Sequence, residues 1–413
     1  MNNIFNIVPG KSIIGDIQVS GDKSISHRAI ILSSIAEDIS TISNLSLGLD
    51  VLNTIEAMRA LGVEIHLKNT TCEIHGVGLH GLKPSKKPIN CGNSGTAMRL
   101  LTGLLSAQKF NSILIGDDSL QRRPMLRVAE PLRLMGAKIN LSSRNTAPIE
   151  IIGGRTLKGI QYDLKIPSAQ VKSAILLAGL YTIGATQVHE NVLTRDHTEK
   201  MLQKNVDIKK IPGDISSATF FIVLASITKG SDLIIRKVGV NPFRTGIIDI
   251  LKLMGANIEL FNHDFFGLEP VADIRIRYAP LHGITIPQEL IANAIDEFPA
   301  IFIAAVCASD NTVLRGAREL RVKESDRIAA MAKGFAQLNV KTEEYDDGIM
   351  IFADQKFQGG CVNSFGDHRI AMAFAIAGHV AKGPVFVDNC ALVKTSFPNF
   401  VELANQVGMQ INT

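Results

Sequence analysis

Leu61-Gly62-Val63-Glu64-Ile65 returns along the chain as Met135-Gly136-Ala137-Lys138-Ile139 and as Met254-Gly255-Ala256-Asn257-Ile258. Weaker copies are Leu338-Asn339-Val340-Lys341 and Val407-Gly408-Met409-Gln410-Ile411, and Asn205-Val206-Asp207-Ile208 is a sixth, degraded one. The phrase reads as a helix stopped by Gly or Asn in a left-handed cap, then a strand of alternating polarity. A phrase that recurs in this way marks a structural repeat.

Roughly 40 residues before each copy stands a small or polar helix start leading into an apolar helix. The six starts are Gly21-Asp22-Lys23-Ser24, Ser94-Gly95-Thr96-Ala97, Pro167-Ser168-Ala169-Gln170, Gly213-Asp214-Ile215-Ser216, Asp296-Glu297-Phe298-Pro299 and Gly366-Asp367-His368-Arg369. Asp and Ser at such places are N-cap chemistry. Six units, each with two helix signals and intervening strands, suggest two lobes of three units. The starts lie 70 to 83 residues apart, except for 46 between Pro167 and Gly213. About 25 residues, enough for a hairpin, are missing after Ile208, and the sequence leaves open how that gap arose.

The chain has 413 residues, 46% hydrophobic and 20% charged, with a net charge of +4. This is globular composition with room for two domains of about 200 residues. It lacks the basic footprint of a nucleic-acid binder, so affinity for anions has to come from local clusters of Lys and Arg. No Trp and four Tyr leave little for base stacking. Cys72, Cys91, Cys307, Cys361 and Cys390 are scattered and odd in number, which argues against a disulfide framework and a zinc site. The longest apolar runs, Ser217–Ile227 and Pro299–Ala308, are about half a membrane span. The start shows no signal-peptide pattern, and the expectation is a cytoplasmic protein.

Four clusters sit at or beside the helix starts, where orphan N–H groups and the helix dipole favour anions. Lys23 and Ser24 come first, with Arg28 four residues after Ser24 on the same helical face; the alternative is an exposed basic turn. The second is Asn90 to Arg99, with Gly92 and Gly95 allowing close backbone approach to a ligand, although such a turn is as readily structural. Beside it, Arg123 precedes Pro124, which is expected at the first position of a helix. Ser168, Gln170 and Lys172 form the third cluster, and Ser168 as a simple cap explains it equally well. The fourth, Arg321-Val322-Lys323-Glu324-Ser325-Asp326-Arg327, is the densest. If it is helical, Lys323 and Arg327 share a face, and a salt-bridged surface is the plain alternative. Asp367-His368-Arg369 and Lys394-Thr395 keep it company, and Asp296-Glu297 is the matching acidic spot. Phosphate-sized clusters of Arg and Lys, two carboxylates and no metal or nucleotide signature fit group transfer between small phosphorylated metabolites.

Over essentially its whole length the chain resembles the enolpyruvyl transferases, and within them the EPSP synthase family. The resemblance rests on Lys23-Ser24-x-x-x-Arg28, Gly92-Asn93-x-Gly95-Thr96-Ala97-Met98-Arg99, Arg123-Pro124-Met125, Arg321 to Arg327, Asp367-His368-Arg369 and Lys394-Thr395-x-x-Pro398. It implies an α/β fold of two inside-out lobes, each of three βαβαββ repeats, joined by a double hinge. One lobe would span 20–212, on the shikimate 3-phosphate side. The other would combine 1–19 with 213–413, on the phosphoenolpyruvate side. The implied reaction moves the enolpyruvyl group of phosphoenolpyruvate onto the 5-hydroxyl of shikimate 3-phosphate and releases phosphate, without cofactor or metal. Carried over by position, shikimate 3-phosphate would be held by Lys23, Ser24, Arg28, Ser168, Gln170, Arg195, Asp296 and Lys323. Phosphoenolpyruvate would be held by Lys23, Gly95, Arg123, Gln170, Arg327, Arg369 and Lys394. Asp296 would take the 5-hydroxyl proton, and Glu324, with Lys23, would handle the proton at C3. A monomer without nucleic-acid or membrane partners is implied.

Ser168-Ala169-Gln170, Arg195-Asp196-His197-Thr198-Glu199 and Asn241-Pro242-Phe243-Arg244 resemble the class II branch, often associated with glyphosate tolerance, whereas Gly95 leaves room for that inhibitor. The nearest alternative is the sister enzyme acting on UDP-N-acetylglucosamine. It typically carries Lys-Asn where this chain has Lys23-Ser24, and a reactive Cys on a loop where Arg123-Pro124-Met125 has none. A non-catalytic anion-binding relative is the other alternative, although Lys23, Asp296 and Glu324 are all present.

Overall fold

A computed structural model of the protein describes residues 4–203 and 209–413. They fall into two compact units, one of Gly21–Ile211 with Phe266–Glu269, the other of Met1–Ser20, Pro212–Phe265 and Pro270–Thr413. The chain's first strands belong with its last residues. Phe5–Val8 runs antiparallel between Val385–Asp388 and Gln410–Asn412, and Ile14–Ile17 pairs in parallel with Asp232–Gly239.

All six helix starts open helices: Lys23–Ser34, Gly95–Ser106 and Ala169–Gly179 in the first unit, and Ile215–Ile227, Phe298–Val306 and His368–His379 in the second. Five carry a side-chain cap: Asp22 accepts from the Ile25 amide, Ser94 from Ala97, Ser168 from Val171, Asp214 from Ser216 and Asp367 from Arg369. Glu297 is the exception. Its carboxylate accepts instead from the Ser216 hydroxyl, and Pro299 supplies the first turn.

The repeated phrase does what its residues dictate. Gly62, Gly136, Gly255, Asn339 and Gly408 all take positive φ, between 58° and 111°. Each is followed by a strand: Glu64–Lys68, Lys138–Asn140, Asn257–Phe266, Thr342–Tyr345 and Gln410–Asn412. The sixth copy, Asn205–Ile208, lies outside the described residues.

The helices are inside and the sheets outside. Ile215–Ile227, Phe298–Val306 and His368–His379 pack on one another, and every one of their residues except Ile227 is buried. A helix apolar all round has no face to give to water. Its few hydroxyls turn back on the helix: Thr219 donates to the Ile215 carbonyl and Ser226 to Ile222. In the first unit, Gly95–Ser106 packs on Ala169–Gly179 through Gly103. A Cβ at Gly103 would lie 2.2 Å from the Ala174 carbonyl oxygen, so glycine is what lets these two helices meet and fixes the spacing of their N-termini.

Around the first unit's helices stand the sheets Ile39–Ile42/Thr71–His75/Glu64–Lys68 and Ile89–Asn90/Ser112–Ile115/Ile149–Ile152/Lys138–Asn140, and the pair Gln161–Asp163/Gln187–His189. The second unit has two four-stranded sheets and one of three strands, Thr312–Leu314/Gly348–Ile351/Thr342–Tyr345. Among the described residues the smallest sheet, the two-stranded one, falls in the repeat whose spacing is short. No helix of the described residues is long and apolar enough to cross a membrane.

Two local expectations are corrected. Pro124 does not open a helix. Arg123 is extended, with φ −76° and ψ 141°, as a residue before proline prefers. The Met125 amide bonds the Asn145 carbonyl, and the helix begins at Leu126. Lys323 and Arg327 do not share one helix. A short 3-10 turn ends at Val322, Lys323 is extended, and a new helix begins at Arg327, capped by Asp326, which accepts from the Ala329 amide.

Candidate active site

In the first unit, the Lys23–Ser34 helix brings its basic residues to a row of hydroxyls. The buried Arg28 donates from Nε to Thr198 Oγ1 at 2.7 Å, from Nη2 to Ser173 Oγ at 2.7 Å and from Nη1 to the Ser24 carbonyl at 2.9 Å. Ser173 and Thr198 are themselves 2.7 Å apart. Arg195 Nη1 lies 3.4 Å from Ser24 Oγ. Hydroxyls fix a guanidinium's direction. Lys23 is held differently, its ammonium 2.9 Å from Asp50 Oδ2 on the neighbouring helix Leu49–Ala60. Beneath them His27 is fully buried, 2.7 Å from Thr54 Oγ1. Burial, then the charges of Lys23 and Arg28, push its pKa well below the ordinary histidine value, so the ring is neutral.

A second cluster forms where two helix starts meet. Arg99, one turn along from Gly95, donates to Gln170 Oε1 and to the Pro124 carbonyl at 3.3 Å, while Gln170 Nε2 donates to Thr96 Oγ1 at 2.9 Å. Arg123 donates to Asn93 Oδ1 at 2.8 Å and to Ser119 Oγ at 3.4 Å, and Asn93 is steadied by Asp117. Gly95 sits against both guanidinium groups: a Cβ there would be 2.9 Å from Arg99 Nη1 and 3.2 Å from Arg123 Nη1. Ser168 is confirmed as the helix cap. Lys172 departs from the sequence reading: it is buried in contact with Glu190 and Glu199 rather than facing outward with Ser168 and Gln170.

In the second unit the charges answer one another. Arg327, 1% exposed, donates from Nε to Asp367 Oδ2 at 2.9 Å and from Nη2 to Glu324 Oε2 at 2.7 Å, with Asp296 Oδ1 3.5 Å from Nη1. Burial works against its charge, but Asp367, Glu324 and Asp296 outweigh it and hold the proton more tightly than on an ordinary guanidinium. Burial likewise pushes the Asp367 carboxyl up, and Arg327 pulls it below the usual range. Lys323 Nζ lies 3.2 Å from Asp296 Oδ1. Arg369 Nη1 donates to the Asp296 carbonyl at 2.7 Å and lies 3.4 Å from Glu297. Asp296, Lys323, Glu324, Arg327 and Arg369 thus converge, and Lys394 is exposed on the 3-10 turn Cys390–Thr395.

Asp50, Ser173, Asp367 and Arg99 complete these clusters and were not singled out individually as site residues. Arg99 and Asp367 lay within quoted motifs. Asp50 and Ser173, which are 27 and 145 residues from their partners, left no local signal. Among the described residues, two groups have donor atoms close enough to surround a cation, Glu64/His66/His75 on a hairpin and Asp196/His197/Glu269. In the second, Lys200 already stands 3.4 Å from Asp196 and 3.6 Å from Glu269.

A model of the family described as EPSP synthase (3-phosphoshikimate 1-carboxyvinyltransferase) matches residues 7–210 and 206–403. The chain belongs to the EPSP synthase family. The two matched stretches meet inside the short interval between repeats. The 3-phosphoshikimate 1-carboxyvinyltransferase of Methylococcus capsulatus is 52% identical, with 99% of this chain and 98% of the relative aligned. That of Legionella pneumophila, strain Philadelphia 1, is 53% identical, with 96% of each covered. The solved EPSP synthase of Acinetobacter baumannii superposes with a TM-score of 0.86 at 47% identity, over 99% of this chain and all of that one. The enolpyruvyl transferase NikO of Streptomyces tendae has a TM-score of 0.79 at 14% identity, over 99% of this chain and 98% of its own, and shares the fold. The α/β fold and the EPSP synthase family expected from the sequence are both borne out.

Proposed function

We propose that the protein transfers the enolpyruvyl group of phosphoenolpyruvate to the 5-hydroxyl of shikimate 3-phosphate, as the names of its relatives imply. The observation that carries the mechanism is the pair of carboxylates, Asp296 and Glu324, set on one buried guanidinium, Arg327. The addition step of this reaction needs two proton transfers. Asp296 takes the 5-hydroxyl proton as that oxygen bonds to C2 of phosphoenolpyruvate, while Glu324 delivers a proton to C3. The resulting tetrahedral ketal then returns a C3 proton to the Glu324 carboxylate and breaks its bond from C2 to the phosphate oxygen, giving the enol ether and inorganic phosphate. Positioned acids and bases contribute roughly 10²–10⁴-fold each to such steps.

Lys23, Ser24, Arg28, Ser168, Gln170, Arg195 and Lys323 hold shikimate 3-phosphate in this reading, with Asp296 on its 5-hydroxyl. Lys23, Gly95, Arg123, Gln170, Arg327, Arg369 and Lys394 serve phosphoenolpyruvate. Arg327 is bonded to three carboxylates, so its larger part is to orient Glu324 and Asp296. Five free cysteines fit a cytoplasmic enzyme, which we take to act as a monomer. Phosphate release with phosphoenolpyruvate is the test. Release with shikimate 3-phosphate and none with UDP-N-acetylglucosamine is expected. Release with the nucleotide sugar, or silence with both acceptors in folded protein, contradicts the proposal.

A further inference from the structure

We propose that Lys172 is a positioning residue for acceptor binding: its buried ammonium ties down the segment that carries Arg195 and Thr198. The inference rests on the proposed function, because it concerns the same acceptor. Lys172 lies in the Ala169–Gly179 helix with its side chain 4% exposed. Its ammonium meets Glu190 Oε2 at 2.5 Å, Glu199 Oε1 at 2.6 Å and the Thr194 carbonyl at 3.4 Å. An ammonium has three hydrogens, and here there are three acceptors. All three come from one stretch, Glu190–Glu199, which leaves the strand Gln187–His189 and becomes helical only at His197.

Arg195 is the next residue after Thr194, and the Thr194 hydroxyl is itself bonded to Glu190. Thr198, next to Glu199, accepts from Arg28 at 2.7 Å. A single buried cation therefore sets both the arginine that faces Ser24 and the hydroxyl that aims Arg28. The far side of the same stretch has a second anchor, His197 Nδ1 at 2.6 Å from Glu269 Oε1, so Arg195 is held between two fixed points. Without Lys172, the buried carboxylate of Glu190 and the partly exposed one of Glu199 would be left without the cation between them, and mutual repulsion would move the segment. Val192 and Leu193 are exposed, so the segment has room to move without unfolding the helices behind it.

The experiment compares wild type, Lys172→Met, Lys172→Arg and Lys172→Met/Glu190→Gln for steady-state kinetics with both substrates and for melting temperature. Lys172→Met is expected to raise KM for shikimate 3-phosphate by about 10- to 50-fold, the range of one or two charge-assisted contacts. KM for phosphoenolpyruvate should stay within about 2-fold. Arginine, and the charge-balanced double variant, should recover most of the loss. If Lys172→Met does not fold, Glu199→Gln, which keeps the Lys172–Glu190 pair, should show the same selective rise at a few-fold. An unchanged acceptor KM, or equal rises in both KM values, overturns the proposal. Wild type that fails to turn over shikimate 3-phosphate overturns the proposed function itself, and this inference with it.

Discussion

Arg28 and Arg123 in the first unit and Arg327 in the second are held by different means. In the first, Arg28 is aimed by Ser173, Thr198 and a carbonyl, and Arg123 by Asn93 and Ser119. In the second, Arg327 is held by Asp367, Glu324 and Asp296, and Lys323 by Asp296. Hydroxyl, amide and carbonyl partners direct a positive charge. Carboxylate partners consume the charge and are themselves held ready as bases. In the proposed reading, Arg28 and Arg123 serve ligand anions, and the carboxylates on Arg327 serve proton transfer.

The largest expected effect tests the second unit. Asp296→Asn should lower kcat by roughly 10²–10⁴-fold, the share of one acid/base group, with KM for shikimate 3-phosphate changed far less. A loss confined to KM would leave Asp296 with binding alone and blur the division. Next comes Arg28→Ala in the first unit, where hydrogen bonds to charged groups are worth about 1.5–3 kcal/mol each. KM for shikimate 3-phosphate should rise about 10- to 100-fold with kcat nearly kept; a collapse of kcat instead would give Arg28 a part in the chemistry. Gly95→Ala is subtler, because the added methyl meets the flexible ends of Arg99 and Arg123 rather than backbone. A rise of about 2- to 5-fold in KM for phosphoenolpyruvate is expected, and no change would detach Gly95 from that ligand.

The smallest effect is on stability against pH. His27 stays neutral in the folded protein, with its pKa depressed, while an unfolded histidine takes a proton near pH 6.5. Its contribution is therefore whole above about pH 6.5 and is lost as pH falls below that value toward the folded pKa. Asp367, depressed by Arg327, gives up its contribution only below the carboxylate range, near about pH 4. The first unit should weaken first on acidification. Melting temperatures at pH 7.5 and 5.5 check this: His27→Gln should flatten the drop seen in wild type, and an equal drop would remove His27 as its source.

Much of this was legible in the sequence because the signals were local. A helix end, a left-handed Gly or Asn and a strand are dictated within five residues, and five copies with positive φ followed. Caps within three residues of their amides, such as Asp22 and Ser94, were equally readable. Contacts across the fold were not. Arg28 is 170 residues from Thr198, and no spacing rule links them. Lys172 looked like one more anion contact because its neighbours Ser168 and Gln170 are polar, yet a helix turns it inward to two carboxylates it does not meet in sequence. The break at Lys323 was missed for a related reason: the cap Asp326 sat inside a run of charges that reads as continuous helix.

The division between binding and proton transfer is tested most directly by Glu324→Ala, with shikimate 3-phosphate binding measured by titration calorimetry and phosphate release measured on the same sample. The account predicts acceptor affinity within about 2- to 3-fold of wild type and turnover lower by at least about 10²-fold. Unchanged kcat, or affinity lost in step with turnover, would contradict it.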